Sequence, residues 1–147
     1  MKIYTDGATS KNGQEGAVGG WAYVILDDNG SIWKKGKGHA KGVTNNICEL
    51  MAVIEACELV KDKFALFTVY SDSAYLVNCY KQKWYKTWMG NGWINSKKEP
   101  VANKELWQRL IPFFKDERFN FEKVRGHSGN KYNEMVDQMA VEAKEVG

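Results

Sequence analysis

The chain has 147 residues, enough for one domain with its own core, and an ordinary globular composition of 44% hydrophobic and 27% charged side chains. Its longest purely apolar run is the six residues from Trp21 to Leu26, too short for a membrane-spanning helix, and the opening Met1-Lys2-Ile3-Tyr4-Thr5-Asp6 lacks the pattern of a secretory signal. The net charge of +3 is local: Lys81, Lys83, Lys86, Lys97 and Lys98 lie in an acid-free window from Tyr80 to Lys98, and setting those five aside from 21 basic residues leaves 16 against 18 acids.

Met1 to Asp6 reads as an opening strand, followed by a Gly-rich loop through Gly20. Trp21 to Asp27 is a β-branched and aromatic run that suits a second strand. Asp28-Asn29-Gly30-Ser31 is a turn signal, so Ser31 to Lys37 is expected to return as the other arm of a hairpin. Residues 42–46, Gly-Val-Thr-Asn-Asn, break the pattern and offer helix N-caps. From Asn46 the period changes: Ile47, Leu50, Met51, Ile54 and Cys57 predict a helix to about Lys61. Phe64 to Ser71 follows as a strand and Ser73 to about Trp88 as one helix. Pro100 suits the first turn of the next helix, with Leu106, Leu110 and Phe114 on one face, and Pro112 should kink that helix or end it early. Phe119 to Arg125 alternates as a strand, and a last helix runs from about Tyr132 to Glu145. The order β-β-β-α-β-α-α-β-α predicts an α/β fold: a mixed five-stranded sheet, an antiparallel hairpin block and then parallel strands, flanked by helices. With no repeat or linker, residues 1–147 are expected to form a single domain. Cys48, Cys57 and Cys79 are odd in number and form no C-x-x-C, which fits reduced small hydrophobes in a cytoplasmic protein.

Four carboxylates fall where such a fold could gather them. Asp6 ends the first strand and Asp72 follows Thr68-Val69-Tyr70-Ser71; in open α/β sheets, sites collect at strand ends. Glu49 lies near the start of the first long helix, and Asp137 shares a helical face with Asn133 and Val141. Clustered carboxylates cannot all stay ionised without a cation, and hard oxygen ligands favour Mg²⁺ or Mn²⁺ over zinc. Two such ions about 3.5–4 Å apart form the usual clamp for in-line displacement at phosphorus. Taken singly, each acid would read as a cap or a solvated charge. The basic window also carries Tyr80, Trp84, Tyr85, Trp88 and Trp93, a mixture that suits phosphate contact with stacking, or equally a wet helix with its aromatics in the core.

The flanking residues decide between these readings. Thr5-Asp6-Gly7-Ala8, Thr44-Asn45-Asn46-Ile47-Cys48-Glu49-Leu50, Tyr70-Ser71-Asp72-Ser73-Ala74-Tyr75, and Val124-Arg125-Gly126-His127-Ser128-Gly129 followed by Asn133-Glu134-Met135-Val136-Asp137 occur in that order. Each motif alone is weak; the ordered set, from Met1 to about Ala143, closely resembles type 1 ribonuclease H. The resemblance implies an endonuclease that hydrolyses the RNA strand of RNA–DNA hybrids by a two-metal-ion mechanism, leaving 5′-phosphate and 3′-hydroxyl ends. It implies that Asp6, Glu49, Asp72 and Asp137 are the metal-binding and catalytic acids, holding two Mg²⁺ ions for which Mn²⁺ can substitute. His127 matches a catalytic histidine on the loop before the last helix, thought to assist proton movement or product release.

For the hybrid itself, the resemblance implies contacts from Asn12, Thr44, Asn45, Asn46 and Ser73. Its basic protrusion, which grips the DNA strand, corresponds to the stretch holding Lys83, Trp84, Lys86, Trp88, Trp93, Lys97 and Lys98. A monomer is the default expectation. The chain departs from the family pattern in three places: Ala74 stands where many members carry Gln, Gly42 where some place an Arg in a phosphate pocket (Lys41 is a candidate substitute), and Asn12-Gly13-Gln14 lacks a common Pro. None is a metal ligand. The rival readings are an integrase- or resolvase-like nuclease of the same fold, a catalytically inactive nucleic-acid-binding module, and an unrelated α/β interaction protein. The His127 loop and the basic window argue against the first, the four acids against the second, and the ordered motifs against the third.

Overall fold

A computed structural model describes residues 1–124 and 130–146. Three antiparallel strands open the chain, β1 (Lys2–Ser10), β2 (Val18–Leu26) and β3 (Ile32–Lys41). Helix α1 (Asn45–Val60) then leads to β4 (Phe67–Ser71), which lies parallel to β1, and three helices follow: α2 (Ala74–Gln82), α3 (Trp84–Asn91) and α4 (Lys104–Phe114). Strand β5 (Phe119–Lys123), parallel to β4, and helix α5 (Lys131–Val146) complete the order. The sheet runs β3-β2-β1-β4-β5, the expected mixed five-stranded architecture.

Alternation along the strands divides the core. Ile3, Ile25, Val69 and Phe121 pack with Leu50, Ile54, Trp107 and Leu110 on the face covered by α1 and α4. Tyr4, Ala22, Val24 and Leu26 pack on the other face with Val136 and Ala140 of α5. Two glycines set how closely those helices approach. A Cβ on Gly7 would lie 2.7–2.8 Å from Cys48 and from the Glu49 nitrogen, and one on Gly20 would collide with the α5 backbone at Ala140 and Lys144.

Several boundaries differ from expectation. β1 continues to Ser10 and β2 begins at Val18, because Gly19 and Gly20 serve packing rather than turning. The hairpin's third strand extends past Lys37 to Lys41. β4 starts at Phe67, leaving Phe64 fully exposed in the preceding loop. The single helix expected over 73–88 is two: Lys83, at φ 58°, ends α2 in the left-handed region and α3 restarts at Trp84. That break rotates the second segment so that Tyr85 and Trp88 are buried. Pro100 lies outside α4, bridged to Ile94, and α4 begins at Lys104. Pro112 is exposed in the last turn, and α4 runs only two residues further, to Phe114. The three cysteines are free and fully buried, and burial pushes the Cys48 and Cys79 thiols up to about 12. Among the described residues no helix is long and apolar enough to cross a membrane.

Candidate active site

Register brings the first two acids together. The parallel ladder aligns Tyr4 with Tyr70, so Asp6 and Asp72, each two residues further on, emerge side by side past the ladder's end. Asp6 therefore lies in the middle of β1 rather than at its end, at the point where β1 loses β4 as a partner while still pairing with β2. Thr5 Oγ1 donates to the Tyr70 carbonyl (2.9 Å) and ties the two strands just there.

Glu49 arrives from the opposite face of the sheet. Thr44 caps α1 by accepting from the Ile47 amide (3.3 Å), and the absent Cβ of Gly7 lets the second turn of α1 rest on β1. The Gly7 amide then donates to both Asp6 Oδ1 (2.9 Å) and Glu49 Oε1 (3.2 Å). Asp6, Glu49 and Asp72 each place a carboxylate oxygen within 4.8 Å of the others'. Asp137 stands outside that grouping, on the exposed side of α5, near enough to Asp6 to add to the upward push on its carboxyl.

Electrostatically this cluster is unresolved as it stands. Asp6 and Glu49 are only 7% and 8% exposed, and Glu49 Oε2 is buried with no hydrogen-bond partner. Among the described residues none of the four acids has a salt-bridge partner. Burial first, then the neighbouring Asp72 charge, pushes the Asp6 carboxyl up to about 7. Burial and the charges of Asp72 and Asp6 raise Glu49 well above the ordinary carboxylate range. A buried oxygen without a donor, among acids without a base, is what a divalent cation would satisfy. The three grouped carboxylates thus fit a hard metal ion.

The expected hybrid contacts separate into groups. At the start of α1, Asn12 accepts from the Asn45 amide and Thr44 from the Ile47 amide, with Asn46 exposed beside them. Ser73 caps α2 by accepting from the Leu76 amide (3.2 Å), directly after Asp72. The basic window is divided by the α2–α3 break. Lys83 and Lys86 line a cleft of about 710 Å³ together with Lys81 and Lys115, whereas Trp84 lines a different cleft of about 660 Å³ with Asn91, Asn95 and Ser96. Lys97 and Lys98 are exposed in the loop after α3, and Trp93 is half-buried there, with the Lys104 ammonium 5.8 Å from its ring centre. Trp88 is mostly buried, at 8% exposure, its ring 5.6 Å from Trp107 and 6.0 Å from Trp93, and it lines the same cleft as Trp84. His127 lies outside the described residues, as does Arg125 at the expected end of β5. Gly42, at φ 70°, occupies a conformation that any side chain would strain, which gives a backbone reason for the missing Arg; Lys41 is exposed beside it. Sequence reasoning missed Thr9, whose hydroxyl holds Asn45, because no motif marks it.

Comparison with known proteins places this geometry in context. The sequence model of the family described as RNase H matches residues 1–145. The ribonuclease H of Syntrophomonas wolfei is 47% identical over 138 residues, covering 94% of this chain and 91% of that protein. The crystal structure of LC9-RNase H1, a type 1 RNase H with the type 2 active-site motif, is 27% identical with a TM-score of 0.77, over 99% of this chain and 72% of that one. LC11-RNase H1, whose crystal structure is in complex with RNA/DNA hybrid, shares the fold at 24% identity and a TM-score of 0.69, over 99% of this chain and 96% of that one.

Proposed function

The chain belongs to the ribonuclease H family, and from that premise we propose that it is a single-domain endonuclease, residues 1–147, acting on RNA–DNA hybrids. It hydrolyses the RNA strand and leaves 5′-phosphate and 3′-hydroxyl ends. The observation that carries the mechanism is the buried, unpartnered Glu49 Oε2 within the Asp6–Glu49–Asp72 group. Asp6, Glu49, Asp72 and Asp137 would hold two Mg²⁺ ions, with Mn²⁺ able to replace them. When bound, the ions supply the positive charge that makes water nucleophilic at neutral pH and offsets the charge on the departing 3′ oxygen.

The chain's own residues do the rest. The Gly7 amide fixes one oxygen each of Asp6 and Glu49, leaving the remaining lone pairs turned toward a ligand. Asp72 and Asp137 are exposed and meet the substrate side of the cluster. His127 moves a proton at the departing oxygen or aids product release, a task suited to a group that titrates near neutrality. Asn12, Thr44, Asn45, Asn46 and Ser73 contact sugars and phosphates, since hydroxyls, amides and helix N-termini are apt for both. Trp84, Trp88, Trp93, Lys97 and Lys98 receive the DNA strand on one side of the α2–α3 break, and Lys83 and Lys86 add phosphate attraction on the other. The protein acts as a monomer in the cytoplasm, which accords with three buried, unpaired cysteines.

Asp72→Asn tests the assignment. The substitution preserves shape and removes a charge, so cleavage of a hybrid in Mg²⁺ should fall by at least about 10³-fold while the circular-dichroism melt is retained. A variant that keeps wild-type turnover would remove Asp72 from the metal site.

A further inference from the structure

Thr9 and Asn12 meet the first residue of α1 from two sides. Thr9 Oγ1 donates to Asn45 Oδ1 (2.8 Å), and the Asn45 backbone amide donates to Asn12 Oδ1 (3.0 Å). Both side-chain oxygens are thereby used within the protein. Among the described residues neither side-chain Nδ2 donates to anything, and both side chains are exposed. A backbone N–H can only donate, so the Asn12 amide is fixed with its oxygen inward. Thr9 makes no other side-chain hydrogen bond among the described residues, and its hydroxyl donates to the Asn45 oxygen, which turns Nδ2 away from it. The positive end of the α1 dipole likewise favours an oxygen over an NH₂ group at that position.

We infer that Thr9 is a positioning residue that sets the polarity of the Asn45 amide, so that the start of α1 presents NH₂ donors to the hybrid. The inference rests on the substrate reading above. Thr9 acts only through Asn45 and has no need to touch the substrate.

A double-mutant cycle on hybrid cleavage tests this, with Thr9→Val, Asn45→Ala and the double variant. Valine keeps the β-branched shape and removes the donor. Thr9→Val should raise KM about 3- to 10-fold with kcat within about twofold, the scale of one misdirected neutral hydrogen bond. Thr9→Ser should restore KM, and in the Asn45→Ala background Thr9→Val should have no further effect. An equal KM rise in both backgrounds, or no rise in the wild-type background, overturns the inference. A wild-type chain that fails to cleave the hybrid overturns the substrate reading instead, so the two failures are told apart.

Discussion

Asp6 is held near-neutral by a low-dielectric strand position and the Asp72 charge beside it, and that has a sign that can be measured. Its folded-state pKa of about 7 lies above the unfolded value of 3.8. Between those two values the folded chain binds the extra proton, so without metal the contribution of Asp6 to stability is greatest below about pH 4 and is lost as pH rises through 7. Asp6→Asn removes that loss. In chelator at pH 8 the variant should melt about 4–8 °C above wild type, and the gap should narrow steadily as pH falls and close near pH 4. Equal melting temperatures at pH 8 would mean that Asp6 is not raised. Glu49, shifted in the same direction, adds to the same slope. Divalent-ion binding should correspondingly release protons near pH 7.

At the scale of elements, the site depends on two helices lying unusually close to the sheet. Gly7→Ala places a methyl against Cys48 and the Glu49 nitrogen, where backbone must move. Overpacking of that kind costs about 1–3 kcal/mol. The variant should therefore unfold at lower denaturant and bind Mg²⁺ more weakly in calorimetry, because Glu49 moves with α1; unchanged Mg²⁺ affinity would separate Glu49 from the metal. The same packing explains which elements were legible in the sequence. Periodic apolar runs announced α1 and α4, a turn signal announced the hairpin, and the four acids were named from their motifs. Gly19 and Gly20 read as loop because a glycine that admits a helix is indistinguishable in sequence from one that turns the chain. The α2–α3 break was hidden because Lys83 adopts φ 58° without the Gly or Pro that usually advertises it. The burial of most of Trp88, which still lines the cleft beside Trp84, follows from that break and leaves no local mark. The Asn45 amide polarity depends on Thr9, 36 residues away, and no local pattern encodes it.

Across the whole molecule, negative charge gathers where the β1–β4 ladder ends, while the local positive excess lies on the α2–α3 side. That arrangement draws a polyanion onto the flank of the acids and leaves it to a divalent cation to neutralise them. Replacing Lys83, Lys86, Lys97 and Lys98 together with alanine should raise KM for a hybrid and lower the dependence of log KM on log salt concentration by up to about three units. An unchanged salt slope would return those lysines to the role of solvated surface charge.

The most direct test is one cleavage assay on four end-labelled substrates, RNA–DNA hybrid, duplex RNA, single-stranded RNA and duplex DNA, each with Mg²⁺ and with chelator. The account predicts cutting of the RNA strand of the hybrid alone, and only with Mg²⁺. Cutting of duplex DNA, hybrid binding without cutting, or undiminished cutting in chelator would contradict it.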